Sequence, residues 1–141
     1  MSPRSRRWTY RLPAEFGHQD ITDDVARLVA ESEVRTGSVV VSLVGSTGVV
    51  TTIEYEKGAL LDFRRALDQI APPTEDYAHN EAYHDGNGFS HVRSALVGPS
   101  VTLPVVDGNL VIGTWQRVAV FNLDNRPRER EVVAVVVGDT G

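Results

Sequence analysis

Three valine-rich runs limit what this chain can become. Ser38 to Val44 reads SVVVSLV, Gly48 to Tyr55 reads GVVTTIEY, and Val132 to Val137 is apolar throughout. β-Branched side chains lose rotamer freedom in a helix and pack well on a pleated surface, so each run predicts a strand. The first two are joined by a tight Gly45-Ser46-Thr47-Gly48 turn, and the third reads as a last strand buried on both faces. Arg7 to Leu12 alternates Trp8, Tyr10 and Leu12 with polar residues and predicts an opening strand. Val101 to Val106 predicts another. Asp107-Gly108 then signals a hairpin to a partner over Leu110 to Leu123, and Pro104 points to an edge or bulge.

Two segments have helical period instead. Thr22 is a candidate cap, Asp23 and Asp24 suit the positive end of a helix dipole, and Val25, Leu28 and Val29 recur at helical spacing, with Gly37 as the stop. A second helix is expected from Gly58 to Ile70, burying Leu60, Phe63, Leu67 and Ile70, with Pro72-Pro73 ending it. Strands outnumber helices and pair largely through hairpins, so the expected class is α+β: an alpha-beta sandwich of mostly antiparallel sheet with two main helices. The 141 residues suit one domain, 1–141, with no linker or repeat dividing it.

Composition excludes several functions. With no cysteine there is no disulfide, thiolate zinc site or cysteine nucleophile. A net charge of -5 argues against nucleic acid as a partner. No apolar run has the length of a membrane helix, and the basic start has no apolar core of a signal peptide, so a cytoplasmic location is expected.

The chemistry concentrates between Tyr77 and Ser100, YAHNEAYHDGNGFSHVRSALVGPS, read as a long loop ending in a short helix that stops at Gly98. It carries His79, His84 and His91 beside Asp85 and Asn87. Imidazole ligates divalent metals or transfers protons near neutral pH. His79 and His91 are too far apart for a local helical pair of the HExxH type, so the residues alone leave metal binding, acid–base work and plain surface hydrogen bonding open. Asp85-Gly86-Asn87-Gly88 is either a turn or a backbone approach for a ligand, and Asn87 is a candidate cap for the short helix. Gly45 to Gly48 offers hydroxyls and amides suited to phosphate but lacks the lysine of a Walker loop. His18 and His84 are weaker candidates. Glu54 and Glu56 read as one strand face, Trp115 as a core residue, and Arg126, Arg128 and Arg130 as a solvated turn.

Three blocks carry a resemblance. GSTGVVTTIEYE (45–56), Y-x-H…DGNGxSHVRxALxGPS (77–100), and PVxDGxLVxGTWQ (104–116) with FxxDNRPRxR (121–130) resemble the YjbQ-like family in order and spacing. The resemblance implies an α+β sandwich assembling as a homotrimer, with thiamine-phosphate-synthase-like activity described for some members. In that activity a pyrimidine pyrophosphate and a thiazole phosphate join with release of pyrophosphate. His79 and His91 match the family's paired histidines, Asp85 and Asn87 its D-x-N, and Trp115 and Gln116 its GTWQ. Many members begin the first block with His-Thr-Thr where this chain has Gly45-Ser46-Thr47, so a third histidine is missing.

The resulting expectation is a pocket joining the 77–100 segment to the 45–48 turn. His79 and His91 would act as metal ligands or acid–base groups, with zinc or magnesium as the divalent ion. Asp85 would orient a histidine or bind the metal, and Asn87, Ser46 and Thr47 would hold oxygens of a small phosphorylated substrate. The alternatives are a non-catalytic trimeric module binding a metal or phosphometabolite, and a metal-dependent hydrolase.

Overall fold

The valine-rich runs form strands, but the chain divides them between two sheets. The computed structural model describes residues 2–141. In chain order the elements are β1 (Ser5–Leu12), β2 (Gly17–Asp20), α1 (Thr22–Ser32), β3 (Thr36–Leu43), β4 (Gly48–Glu54), α2 (Lys57–Ile70), α3 (Ala78–Tyr83), α4 (Gly88–Val97), β5 (Ser100–Val106), β6 (Asn109–Leu110), β7 (Gln116–Asn122) and β8 (Arg128–Asp139). One sheet has the order β1-β8-β3-β5-β6 and the other β2-β7-β4. Every pairing is antiparallel. The class is α+β, as expected, and α3 adds to the two main helices and the short helix ending at Gly98.

Strand period explains the layering. On β7, Val118 and Val120 join Val39, Val41, Val132, Ala134 and Val136 in a core closed by Val25, Leu28 and Val29 of α1. The alternate residues Ala119 and Phe121, with Leu123 beyond them, face the other way and pack with Phe16, Val49 and Leu67 beneath α2. Fully burying one such side chain contributes about 1.5–3 kcal/mol relative to leaving it in water. The doubly buried strand is therefore β7, not Val132 to Val137. On β8 the inner residues are buried, whereas Val135 and Val137 are 39% and 60% exposed. Among the described residues no layer covers that outer face.

Several local expectations change in the folded chain. Gly45 to Gly48 does not close a hairpin: β3 pairs with β5 and β8, and β4 pairs with β7, so the turn carries the chain between sheets. Thr22 is the first helical residue rather than the cap, and its hydroxyl serves Asp20 and the backbone of Val118. α1 stops at Ser32 with Glu33 left-handed. Gly37 lies inside β3, where a Cβ would meet the Val137 carbonyl at 1.9 Å, so its role is close strand approach. Ile70 is 62% exposed, and Leu67 is the one fully buried member of the expected α2 stripe. Trp115 is 73% exposed in the segment before β7.

The Asp107-Gly108 hairpin is present: both residues have positive φ, 52° and 78°, and they join β5 to the two-residue β6. The expected long partner strand breaks after Leu110, and its remainder crosses to the second sheet as β7. No helix among the described residues is long and apolar enough to cross a membrane.

Candidate functional site

The segment from Tyr77 to Ser100 is two helices rather than a loop. Asn80 caps across them, its Oδ1 accepting the Gly88 amide at 2.9 Å, and a Cβ on Gly88 would meet the Tyr77 side chain at 2.4 Å. Only glycine allows α3 and α4 to meet there. α4 ends at Gly98, as expected, and its buried face packs toward β4. Arg93 anchors it, donating to the Ala71 carbonyl and to Asp68 at 2.9 Å each, with Phe89 under its guanidinium.

Folding brings His79 and His91 together. Their ring centroids are 4.3 Å apart with planes tilted by 40°, and the Tyr83 ring lies 5.0 Å from His79. Nδ1 of His79 is 3.3 Å from Oδ1 of Asp85 but is not aligned for a hydrogen bond, so this buried nitrogen has no partner. A buried polar atom left unpaired costs about 1–3 kcal/mol, which a proton shared with the carboxylate, or a cation beside it, would recover. Among the described residues no set of three or more His, Cys, Asp or Glu side chains is arranged to hold a metal ion. Two imidazoles brought together beside a carboxylate can accept, donate or relay a proton. His84 is exposed at the left-handed C-cap of α3, and His18 lies apart on β2.

The 45–48 turn reaches this region through a residue to which sequence reasoning assigned no role. Asp124, fully buried after β7, accepts hydrogen bonds from Asn87 Nδ2 at 3.2 Å, Thr47 Oγ1 at 3.0 Å, the Asn125 amide at 2.8 Å and Arg128 Nε at 3.0 Å. Burial alone pushes its carboxyl up, but these donors outweigh burial and hold it below the usual carboxylate range. Arg130, also buried, donates to the carbonyl and hydroxyl of Thr47 and to Asn122. Asn125 in turn donates to the Asp85 carbonyl at 2.9 Å, fixing the turn beside His79. Arg128 and Arg130 are thus parts of a buried network rather than a solvated turn. Their alternation around Pro127, following an Asp, was the available signal.

This network decides which expected phosphate ligands are free. Asn87 is the N-cap residue of α4, but its side chain makes no cap bond; its amide turns to Asp124 and its Oδ1 is buried without a partner. The Thr47 hydroxyl is likewise engaged. Ser46 is exposed at the tip of the turn. Glu54 and Glu56 do not act as a pair, because Glu56 caps α2 through the amides of Gly58 and Ala59. Buried Ser90 and Ser94 lie one turn apart on α4 with their hydroxyls unpaired.

Comparison with known proteins converges on one group. The sequence profile described as "UPF0047 protein YjbQ-like" matches residues 7–139. A UPF0047 protein of Archaeoglobus fulgidus is 37% identical over 114 residues, covering 81% of this chain and 86% of its own length. One from Methanothermobacter thermautotrophicus is 35% identical over 135 residues, covering 93% and 92%. Among solved structures, a protein of unknown function from Sulfolobus solfataricus, described as YbjQ-like, superposes with a TM-score of 0.86 at 26% identity, covering 96% of this chain and 99% of its own. An uncharacterised YjbQ/UPF0047 protein from Clostridium acetobutylicum gives 0.85 at 29% identity, covering 94% and 99%.

Proposed function

Since the chain belongs to the YjbQ-like UPF0047 family, we propose that it is an enzyme acting on a small phosphorylated metabolite at the paired histidines, with thiamine-phosphate-synthase-like activity. The observation that carries this reading is the stacking of His79 on His91 at 4.3 Å beside the Asp85 carboxylate, with the His79 Nδ1 unpaired. A buried polar atom without a partner calls for an explanation, and a ligand or ion beside the imidazole supplies one.

In this reaction the thiazole nitrogen attacks the methylene carbon of the pyrimidine pyrophosphate, the new C–N bond forms as the C–O bond breaks, and pyrophosphate leaves with the bonding electrons. The protein needs no covalent nucleophile. Its task is to orient two substrates and stabilise charge on the leaving group. His79 and His91 would hold a divalent zinc or magnesium ion, which when bound supplies positive charge to the pyrophosphate. Asp85 orients His79. Ser46 contacts phosphate from the exposed turn, while Thr47 and Asn87, engaged by Asp124, shape the turn and the start of α4 around it.

The outer face of the larger sheet supports a homotrimer. Val40 pairs in register with Val135, and Val137 with Ser38. These valines, 37–60% exposed, form an apolar centre bordered by the Arg7–Glu131 and Arg11–Glu129 ion pairs. Closing a three-fold ring uses heterologous contacts, for which an apolar centre with a charged rim is suited.

The test is turnover. Purified protein supplied with both substrates and magnesium or zinc is expected to release pyrophosphate, and His91→Ala to abolish release with its circular dichroism unchanged. Full engagement of Thr47 and Asn87 by Asp124 favours a second reading, a non-catalytic module that binds a metal or phosphometabolite. That reading is supported if pyrophosphate binds but no product forms.

A further inference from the structure

A concave site lined by none of the histidine-pair residues lies beside α2. Arg93 of α4 contacts Asp68 and Ala71 at the C-terminal end of α2, whereas a cleft of about 490 Å³ opens beside its first turns. Small-molecule sites are typically about 300–1,000 Å³, mostly apolar, with a few convergent polar groups. Phe16, Leu60 and Leu61 supply the apolar wall, and Leu61 is 46% exposed.

The polar groups are held in place. His18 Nδ1 and the Tyr55 hydroxyl share a hydrogen bond of 2.6 Å. The imidazole is boxed edge-to-face by Phe16 and Tyr55, at 5.6 and 5.3 Å, and packs on Phe121 at 5.7 Å. Its Nε2 has no partner among the described residues. Burial lowers the His18 pKa and raises that of Tyr55, so both are neutral near pH 7.

Charge has a direction along the cleft. Lys57 and Arg64 stand two helical turns apart, about 10 Å along α2, with the leucines between them. Arg64 is paired with Glu15 at 3.2 Å and sits over Phe16. Glu56 is consumed by capping. Lys57 has no ion pair among the described residues and stands at the His18–Tyr55 end.

We propose that this cleft binds an aromatic monocarboxylate, its acid group between Lys57 and the His18–Tyr55 pair and its ring against Phe16, Leu60 and Leu61. A flat ring suits the aromatic edges, and one negative charge suits one free ammonium.

Calorimetry and amide chemical-shift titration of the full chain with 2-naphthoate and neutral 2-naphthamide test this. Saturable naphthoate binding is expected, with shifts at residues 16–18 and 55–64 and the amide at least about tenfold weaker. Lys57→Gln should bring the two ligands within about twofold of each other. Leu61→Trp, at a half-exposed position that tolerates bulk, should fill the cleft and weaken naphthoate at least about tenfold with thermal unfolding unchanged. His91→Ala should bind as wild type. Absence of saturation at millimolar ligand, equal affinity for acid and amide, or undiminished binding by Leu61→Trp would each overturn the proposal.

Discussion

Nδ2 of Asn87 donates to Oδ1 of Asp124 at 3.2 Å, tying the N-cap residue of α4 to the corner after β7. The other oxygen of the same carboxylate takes Thr47. Two segments far apart in sequence, each expected from its own motif to bear on a ligand, are therefore held together by one buried anion.

Removing that anion should cost more stability than any surface change. Asp124→Ala leaves Arg128 and the Asn87 amide without their acceptor, and losing one partner of a buried charged network costs about 3–5 kcal/mol. Chemical denaturation measures it, and a loss near that of a surface substitution would show that the network is dispensable.

The same carboxylate sets an acid limit. Its folded pKa is depressed. The stability it contributes is therefore complete above the unfolded value, about 3.9, and is lost as pH falls through the lower folded value. The gap in Tm between wild type and Asp124→Asn should be constant near neutrality and narrow below about pH 4. Parallel curves down to the acid limit would assign acid sensitivity to other groups.

If His79 and His91 are co-ligands, purified protein should retain a divalent ion, and His91→Ala should lose it while keeping its fold. Elemental analysis decides this. Less than about a tenth of an equivalent after zinc, magnesium or manganese addition would leave the pair as acid–base groups only.

Pyrophosphate should bind at the same place. Asn87→Ala is expected to weaken it by about 1–3 kcal/mol, because losing the bond to the charged Asp124 releases the start of α4 that shapes the site. Arg64→Ala, at a side chain paired with Glu15 and placed over Phe16, should leave it unchanged. Calorimetric titration compares the three proteins, and equal affinities would move the anion elsewhere.

Light scattering at micromolar concentration should report a trimer. Val135→Glu, in the apolar centre of the outer sheet face, should reduce the mass to that of a monomer with little change in secondary structure, because the position is already 39% exposed within one chain. A monomeric wild type would exclude the ring.

Much of this molecule is legible along the chain. Alternation and β-branching locate β1, β3, β4, β5 and β8 to within a residue or two at most ends, and Asp107-Gly108 identifies its hairpin, because these signals act between near neighbours. Helical period locates α1 and α2 for the same reason. The three motif blocks carry the family.

Partner choice was decided only in three dimensions. β3 and β4 are consecutive and similar, yet they enter different sheets, since hydrophobic pattern specifies a strand's buried face and not the strand beside it. β7 is the doubly buried strand because a second layer, α2, covers its far face; its run Val118-Ala119-Val120-Phe121 is apolar on both faces, but so is Val132 to Val137, and only packing separates the two. The pairing of His79 with His91 depends on Gly88 letting two short helices meet. The binding of Asp124 to Asn87 and Thr47 depends on a corner that closes across 37 and 77 residues of chain. Local sequence determined the elements and the chemical groups available; tertiary packing, which alone sets distances between residues remote in sequence, decided which of those groups face one another.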